Sequence, residues 1–411
     1  MDLQANNTSI LFMPKKWLGE ESDVVHGYLN GYTEEGIYHF HSGMKIFNYA
    51  DELVECKIVL SKTTAENEFE ITRWKGIYDE YFGANNTKKC QTYIICIALD
   101  NIKAGATIFM AKKSIKCEVH FFPESENLFS RHKGLLAYQS LQKKKVGIVG
   151  LGSFGSQIAI ELTKAGVHHF TLIDDDRLGA ENIVRHQCGI RDLGRFKTLA
   201  VKDAMLDKNS TVEVDTFEGT LMEYLELVKN DLSAFEVLLC CTDNNPSRFL
   251  MSHLASQQNI PLLIGKAFAE AEGGDVFVQK GNQEACYCCH LDFSNTEINQ
   301  ELSSVSQINE QTPAYGIDEN TPITVQIGLS SDINPIINQM VKMALLELTK
   351  ESSTSYQNLA VELDYNYYIW ANRRSHYFAN WLPFNQNRNQ PTLLRWYGAK
   401  IQKNIHCVCN Q

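Results

Sequence analysis

The sequence predicts an α/β protein in which a doubly wound, mainly parallel sheet over residues 125–411 follows a smaller α+β domain over residues 1–124. Three observations support this prediction. Short apolar segments alternate with helix-like segments from Lys145 onward, a glycine-rich turn follows the first apolar segment, and the earlier residues show strand-like patterns broken by Asn, Gly and Thr. Because a helix returns the chain to the edge at which each strand begins, this alternation favours parallel strands.

The first domain contains several strand-like pieces and no motif that identifies a function. These pieces span residues 55–60, 91–99 and 114–122. The next segment, residues 125–144, has few β-branched residues and leucines at helical spacing. This pattern predicts a helix that leads into the second domain.

The second domain is predicted to consist of paired strands and helices. Strands are predicted at residues 145–150, 169–174, 212–217, 237–241 and 262–265, and helices at residues 156–165, 197–206, 221–229, 246–257 and 336–349. A sheet of this type binds ligands at the carboxyl ends of its strands. A polar stretch over residues 294–321 is too long for an ordinary connection and predicts either a functional loop or an unstructured insertion.

The composition is that of an ordinary globular protein, with 44% hydrophobic and 21% charged residues. The net charge of −11 opposes binding to a phosphate backbone, so nucleic acid is not expected as a partner. The sequence shows neither a secretory signal nor an apolar run long enough to span a bilayer, which favours a cytoplasmic protein without a membrane partner. In that reducing compartment the 12 cysteines are expected to be thiols or metal ligands.

A G-x-G-x-x-G motif follows the first predicted strand of the second domain. It consists of Gly150, Gly152 and Gly155 and opens a predicted helix, where glycines permit a tight turn and the helix N-terminus presents unpaired N–H groups. Asp174 ends the second strand, where a carboxylate can bind ribose hydroxyls. These features predict a Rossmann-like nucleotide site, and by themselves they do not distinguish ATP from NAD or FAD.

Charged and amide side chains follow at successive predicted strand ends. Asn182 and Arg185 lie one helical turn apart, Lys197 begins the next helix, and Asp243 follows the strand at residues 237–241. Hydride transfer to a dinucleotide does not require such a group of Arg, Lys and Asp side chains. Attack on phosphorus does, because negative charge accumulates on the phosphate oxygens and is neutralised by cations and a metal ion.

The ordered motifs resemble the signature of the ThiF/MoeB/ubiquitin-activating superfamily, and the resemblance runs from residue 125 to the C-terminus. The motifs are Gly150-x-Gly152-x-x-Gly155, Asp174-x-Asp176, Asn182-x-x-Arg185, Lys197 and Cys241-Thr242-Asp243-Asn244. The resemblance implies a ThiF-type adenylation domain that uses ATP and Mg²⁺. It further implies these roles: Asp174 and Asp176 in the nucleotide site with Asp174 on the ribose, Asn182, Arg185 and Lys197 on the phosphates, and Asp243 on the magnesium ion.

The same resemblance implies partners. Arg131 resembles an arginine that family dimers insert into the neighbouring subunit's active site, which implies a homodimer. The family's substrate is a ubiquitin-like protein with a free C-terminal glycine, which a conjugating enzyme can receive afterwards, and residues 294–321 are placed to cross over its tail. Residues 328–333 and 369–374 resemble segments of bacterial members found beside ubiquitin-like conjugation and antiviral defence systems.

Two groups of cysteines predict a structural zinc site. Cys286 and Cys289 have the C-x-x-C spacing of a zinc knuckle, and Cys407 and Cys409 form a second pair near the C-terminus. The second pair has one intervening residue where two are usual. The alternative ligands are Cys288 and His406, and free buried thiols are the alternative to zinc.

The sequence as a whole favours an ATP-dependent adenylyltransferase that activates a ubiquitin-like protein for conjugation or transfer. Cys188, close to Arg185, is either the nucleophile of a later thioester step, if its pKa is lowered there, or a small buried residue. Two other functions stay open at this point: adenylation of a ribosomal peptide in peptide-antibiotic biosynthesis, and an inactive scaffold subunit. An NAD-dependent oxidoreductase fits the charged residues least well.

Overall fold

The chain divides into two compact units, Met1–Asn127 and Leu128–Gln411. The computed structural model describes residues 9–13, 24–32, 37–41, 54–61, 93–99, 104–109, 114–121, 128–282, 284–293, 315–318, 321–326, 328–374, 377–378, 392–407 and 409. Among the helices within these ranges, none has both the length and the apolar character that a membrane span requires.

Seven strands of the first unit form a closed barrel in the order β1-β3-β2-β4-β5-β6-β7. They are β1 (Ser9–Met13), β2 (Val24–Tyr32), β3 (Ile37–His41), β4 (Val54–Ser61), β5 (Tyr93–Leu99), β6 (Ala104–Phe109) and β7 (Ser114–Phe121). The parallel pairing of β1 with β7 closes the barrel and places Ser9 opposite Cys117. Leu11 and Met13, which share one side of β1, are both buried.

The strands predicted at residues 55–60, 91–99 and 114–122 correspond to β4, β5 and β7. Within the described part of this unit strands are the only regular elements, and the helical component of the α+β prediction stays a prediction.

The second unit is built on an eight-stranded sheet with the order β10-β9-β8-β11-β12-β13-β16-β17. In chain order the strands are β8 (Lys145–Val149), β9 (His169–Ile173), β10 (Glu213–Phe217), β11 (Val237–Cys240), β12 (Pro261–Ala267), β13 (Gly273–Lys280), a separate hairpin of β14 (Tyr315–Asp318) and β15 (Thr321–Gln326), β16 (Tyr367–Ala371) and β17 (Arg395–Ala399). The pairs from β10 to β12 are parallel, and those from β12 to β17 are antiparallel. The predicted doubly wound sheet is confirmed, with three antiparallel strands added at one side.

The helices of the second unit follow the predicted alternation. They are α1 (Tyr138–Leu141), α2 (Ser153–Ala165), α3 (Lys197–Leu206), α4 (Leu221–Leu227), α5 (Asn245–Gln258), α6 (Tyr287–Phe293), α7 (Ser330–Leu348) and α8 (Leu359–Glu362). The predicted helices at residues 156–165, 197–206, 221–229, 246–257 and 336–349 correspond to α2, α3, α4, α5 and α7. The largest difference in bounds is at α7, which begins at Ser330.

The single helix predicted over residues 125–144 is wrong. A 3₁₀ turn at Ser130–His132 and the short α1 take its place, and between them Gly134 has a φ of +83°. The rings of Phe129 and Tyr138 stack with their centroids 4.6 Å apart. A continuous helix would separate these two residues by about 14 Å along its axis, so the stacked pair requires the chain to turn back.

Helices cover both faces of the sheet. Val146 and Ile148 of β8 belong to one core, which also contains Ile158 of α2 and Ile336 of α7. Val149 belongs to the opposite core, together with residues of α4 and α5. Since β8 lies between β9 and β11, the chain leaves β8 on one side and returns on the other, which creates a crevice at the carboxyl ends of these strands.

The predicted loop over residues 294–321 lies largely outside the described residues. Its C-terminal part forms the β14–β15 hairpin, in which Tyr315 pairs with Gln326. Residues 294–314 are among those that the structure does not describe, so their role as a crossover loop stays a prediction.

Candidate active site

A cavity of about 550 Å³ lies at the carboxyl ends of β8, β9, β11 and β12, and we call it the switch-point cavity. Its lining includes most of the predicted site residues: Gly150, Gly152, Asp174, Asp176, Asn182, Arg185, Lys197 and Asp243. Parallel strands end at the same edge of a sheet, and this geometry brings together residues that are far apart in the chain.

The three glycines of the motif have different physical roles. Gly150 has a φ of +85°, and a Cβ atom there would lie 2.9 Å from the carbonyl carbon of Cys241. A Cβ at Gly155 would lie 1.9 Å from the oxygen of Gly150, so this glycine permits close packing of α2 on β8. A Cβ at Gly152 would meet no atom within 4 Å. Gly152 precedes α2 and leaves the backbone accessible to a ligand in the cavity.

Asp174 forms a hydrogen bond with the glycine loop. Its Oδ2 accepts a hydrogen bond of 2.5 Å from the N–H of Leu151, and its Oδ1 accepts one of 2.9 Å from the N–H of Asp176. Burial raises the pKa of Asp174 above its ordinary value, and the charge of Lys197 and the two N–H donors oppose that rise. A carboxylate has about four lone-pair sites, so Asp174 retains acceptors for ribose hydroxyls.

Lys197 is the first residue of α3, and its side chain is held by Asp176. The Nζ atom of Lys197 lies 2.7 Å from Oδ2 of Asp176, and the backbone N–H of Lys197 also donates to the carbonyl of Asp176. The Lys197 side chain is 9% exposed, whereas that of Asp176 is 67% exposed. The ammonium is therefore fixed in the cavity wall beside an accessible carboxylate.

Asn182 and Arg185 lie on the segment that follows β9. The Oδ1 atom of Asn182 accepts from the N–H of Gly179, and its backbone oxygen accepts from the N–H of Arg185. The Ser153 hydroxyl donates to the carbonyl of Arg185 over 3.1 Å. Burial lowers the pKa of Arg185, but a guanidinium remains charged in proteins, so a partly buried cation faces the cavity.

Asp243 is an exposed carboxylate that follows β11. The next residue, Asn244, caps α5 by accepting a 3.0 Å hydrogen bond from the N–H of Ser247. Mg²⁺ prefers one or two carboxylates together with phosphate oxygens and water. Asp243 and Asp176 provide accessible carboxylates on opposite sides of the glycine loop, and this donor set fits a magnesium ion carried in by a nucleotide.

Two buried cations that we did not predict also line the cavity. Arg248 in α5 is 1% exposed and donates from Nη2 to the carbonyl of Thr242 over 2.5 Å. Lys266 in β12 is 5% exposed, and its Nζ lies 3.4 Å from Oδ2 of Asp275. Lys266 directly follows the strand predicted at residues 262–265, and this position was the only sequence feature that could have indicated a site residue. A charge at a strand end or on a helix is most often solvated, so the sequence alone did not distinguish either residue.

Arg131 does not line the switch-point cavity of its own chain. It lies on the 3₁₀ turn at Ser130–His132 and is exposed. An exposed position outside the cavity is compatible with the action on a neighbouring subunit that the resemblance implies. The catalytic role of Arg131 stays a prediction.

Four cysteine thiols converge at a second place in the fold. The Sγ atoms of Cys286, Cys289, Cys407 and Cys409 all lie within 4.8 Å of one another. Individual distances are 3.7 Å for Cys286 to Cys289, 3.4 Å for Cys286 to Cys407 and 3.6 Å for Cys289 to Cys409. Four sulfurs bound to one zinc at about 2.3 Å are about 3.8 Å apart, so the donor set fits zinc.

The alternative zinc ligands are not part of this cluster. Among the described residues, the candidate metal-binding group contains neither Cys288 nor His406. The N–H of Asn404 points at Sγ of Cys289 over 3.3 Å, which is the kind of outer contact that stabilises a metal-bound thiolate. Cys407 and Cys409 both belong to the four-thiol cluster, so the single residue between them does not prevent either from reaching the site.

Cys188 is a small buried residue. It is 5% exposed, and burial together with the charge of Asp192 raises the pKa of its thiol to about 12. The alternative prediction of a lowered pKa next to Arg185 is wrong, because the loss of hydration outweighs any nearby cation. Cys241, which lines the cavity, also has a raised pKa as a result of burial.

The chain is similar in sequence to several curated proteins. The chain is 28% identical over 160 residues to the adenylyltransferase and sulfurtransferase MOCS3 of Dictyostelium discoideum, which covers 38% of this chain and 36% of that protein. It is 25% identical over 161 residues to the ubiquitin-like modifier-activating enzyme 5 of Caenorhabditis elegans, over 37% of this chain and 38% of that protein. It is 30% identical over 146 residues to the molybdopterin-synthase adenylyltransferase of Haemophilus influenzae, over 35% of this chain and 59% of that protein.

The chain thus spans about a third of the length of the first of these curated relatives. Among solved structures, that of Escherichia coli MccB with ATP covers 66% of this chain and 68% of its own, with 16% sequence identity and a TM-score of 0.47. The ThiF family matches residues 125–380, which is more than half of the chain. The chain belongs to the ThiF family.

Proposed function

We propose that this protein binds ATP with Mg²⁺ in the switch-point cavity and adenylates the C-terminal carboxylate of a ubiquitin-like or sulfur-carrier protein. A carboxylate oxygen attacks the α-phosphorus, the bond to the β-phosphate oxygen breaks, and pyrophosphate leaves. The product is an acyl-adenylate, a mixed anhydride. No general base is required, because the attacking carboxylate is already ionised at neutral pH.

The observation that carries this proposal is the convergence of the glycine loop, Arg185, Lys197 and Asp243 on one cavity. The N–H groups at the start of α2 and the two cations can stabilise the negative charge that develops on the phosphate oxygens. Bound magnesium would neutralise further phosphate charge, with Asp243 and Asp176 as its protein ligands. Alignment of the two reactants in a preorganised cavity supplies the rest of the rate enhancement.

The nature of the acceptor is proposed from the relatives. Proteins named as adenylyltransferases and as a ubiquitin-like modifier-activating enzyme match between 35% and 38% of this chain. An acceptor with a flexible C-terminal tail suits an attack that requires a carboxylate to enter a cavity. A ribosomal peptide has the same terminal group and is the competing acceptor in the test below.

We also propose that the four-cysteine cluster binds one structural zinc. Cys286 and Cys289 flank the start of α6, and Cys407 and Cys409 lie near the C-terminus. A single zinc would thus fasten the last residues of the chain onto α6. Such a site contributes to folding and takes no part in the reaction.

Exchange of labelled pyrophosphate into ATP tests the proposed reaction, because formation of an acyl-adenylate is reversible. The probes are a ubiquitin-like protein that ends in glycine, a ribosomal peptide with a free C-terminus, and each of these with the C-terminus amidated. Exchange is expected with ATP, Mg²⁺ and the free ubiquitin-like protein, and amidation should abolish it. Exchange with the peptide alone would transfer the proposal to peptide substrates. Consumption of NAD in place of ATP would overturn it.

A further inference from the structure

The backbone N–H and carbonyl of Leu151, inside the glycine loop, both contact side chains. Its N–H donates to Asp174, and its carbonyl lies 2.8 Å from Nε2 of His186. The other ring nitrogen of His186, Nδ1, lies 3.0 Å from the backbone N–H of Cys188. A carbonyl can only accept and a backbone N–H can only donate. The two contacts therefore define a neutral imidazole with its proton on Nε2.

We propose that His186 is a positioning residue of the adenylation site: as a neutral imidazole it clamps the glycine loop to the segment that carries Arg185. This inference rests on the proposed function, since it assumes that the switch-point cavity binds ATP. His186 does not line the cavity and is 8% exposed, so it acts through the residues that it holds.

The clamp acts on both halves of the phosphate site. On one side, the Leu151 carbonyl belongs to the loop between Gly150 and Gly152, and both of these glycines line the cavity. On the other side, His186 is the neighbour of Arg185, and both of their N–H groups donate to the carbonyl of Asn182. If His186 were displaced, the segment that carries Arg185 would keep its hydrogen bond from the Ser153 hydroxyl but lose the contact with Leu151.

Protonation of His186 would open the clamp. A protonated Nδ1 carries an N–H that would face the N–H of Cys188, and that contact cannot form. The charged groups around the ring act in opposite directions, since Lys197 on α3 disfavours protonation and Asp192, on a 3₁₀ turn at Ile190–Asp192, favours it. Burial is the largest influence and lowers the pKa of His186 below its ordinary value. The clamp is thus closed at neutral pH and opens only in acid.

Three variants test the proposal by calorimetric titration with ATP and Mg²⁺. His186→Leu removes both hydrogen bonds, whereas His186→Gln can retain both, because an amide has one donor group and one acceptor group. His253→Leu removes an exposed histidine of α5 that does not line the cavity and serves as the control. At pH 8 we expect His186→Leu to bind ATP about tenfold more weakly or worse, and His186→Gln and His253→Leu to bind as the wild type does.

The pH dependence supplies a readout that a purely structural role would not change. Between pH 8 and pH 4.5 the wild type should lose affinity relative to His186→Gln, which has no titrating ring. Protonation of Asp174 or of ATP affects both proteins equally and cancels in this ratio. If thermal melting shows that His186→Leu does not fold, the comparison of the wild type with His186→Gln still tests the proposal.

Three outcomes would overturn the proposal: His186→Leu binds ATP as tightly as the wild type, His186→Gln binds as weakly as His186→Leu, or the ratio of wild type to His186→Gln stays constant to pH 4.5. Failure of the wild type to bind ATP at pH 8 is a different result. It would overturn the proposed function itself, whereas normal wild-type binding with unaffected variants would overturn only the role of His186.

Discussion

The Nζ atom of Lys197 lies 2.7 Å from Oδ2 of Asp176, and the buried ammonium is thereby aimed along the wall of the switch-point cavity. Asp176 keeps most of its surface exposed, so its carboxylate can turn toward a magnesium ion when phosphates replace it as the partner of Lys197. The ion pair with Asp176 stabilises the buried Lys197 ammonium, which would be costly to bury without a partner.

Lys197→Ala is expected to lower the rate of pyrophosphate exchange roughly a hundred- to thousand-fold, because one cation that faces the transferred charge is lost. Lys164→Ala is the matched control. Lys164 also forms a lysine–carboxylate pair, 2.7 Å from Glu161, on the exposed side of α2. Equal exchange in Lys197→Ala and Lys164→Ala would show that the Lys197 ammonium does not serve the reaction.

Asp243→Ala should remove a magnesium ligand and reduce exchange by a comparable factor, on the order of a hundredfold. The Mg²⁺ concentration for half-maximal exchange should rise in Asp243→Ala, which separates a metal-binding role from a loss of fold. Asp231→Ala, a change at an exposed carboxylate that does not line the cavity, is expected to leave both quantities unchanged. Undiminished exchange in Asp243→Ala would remove this residue from the site.

About one zinc per chain is expected in elemental analysis of the purified protein. The double change of Cys286 and Cys289 to Ser should release the metal and lower the melting temperature by several degrees, because metal binding is coupled to folding. Cys288→Ser, which alters one of the two residues between them and spares the cluster, should retain the zinc. A native protein without zinc, prepared without chelators, would contradict the zinc proposal.

Arg131→Ala should abolish exchange if Arg131 completes the active site of a neighbouring subunit. Mixing Arg131→Ala subunits with Asp243→Ala subunits should then restore part of the activity, since one site of each hybrid dimer has both intact residues. Lys133→Ala, a change at another exposed cation of the same segment, should remain active on its own. A fully active monomer in light scattering would rule out this arrangement.

Cys188→Ala should leave pyrophosphate exchange intact, because the raised pKa of this buried thiol makes it a poor nucleophile and adenylation precedes any thioester. The backbone N–H that contacts His186 is retained in this variant. Mass spectrometry of the wild type, incubated with ATP and the ubiquitin-like protein, should detect no thioester at Cys188. A thioester there would show that the thiol becomes accessible during the reaction.

Features that depend on neighbouring residues in the chain were predicted well. The bounds of α3 agree at both ends, and the glycine motif lies where the turn between β8 and α2 requires it. Gly150 must adopt a positive φ, and Gly155 can carry no Cβ. Hydrophobic periodicity and glycine stereochemistry act over a few residues, and the sequence therefore contains them directly.

Features that depend on distant residues were decided by the tertiary structure. The pairing of Cys286 with Cys407 joins positions 121 residues apart, and the turn at Gly134 is stabilised by the stacking of Phe129 on Tyr138. Arg248 and Lys266 became site residues because β11 and β12 end at the same edge as β8. Their burial, and the clamp that His186 forms on Leu151, arise from packing between elements. From β8 to β12 the sequence determined which segments form strands and helices, whereas the sheet order determined which of their terminal residues meet.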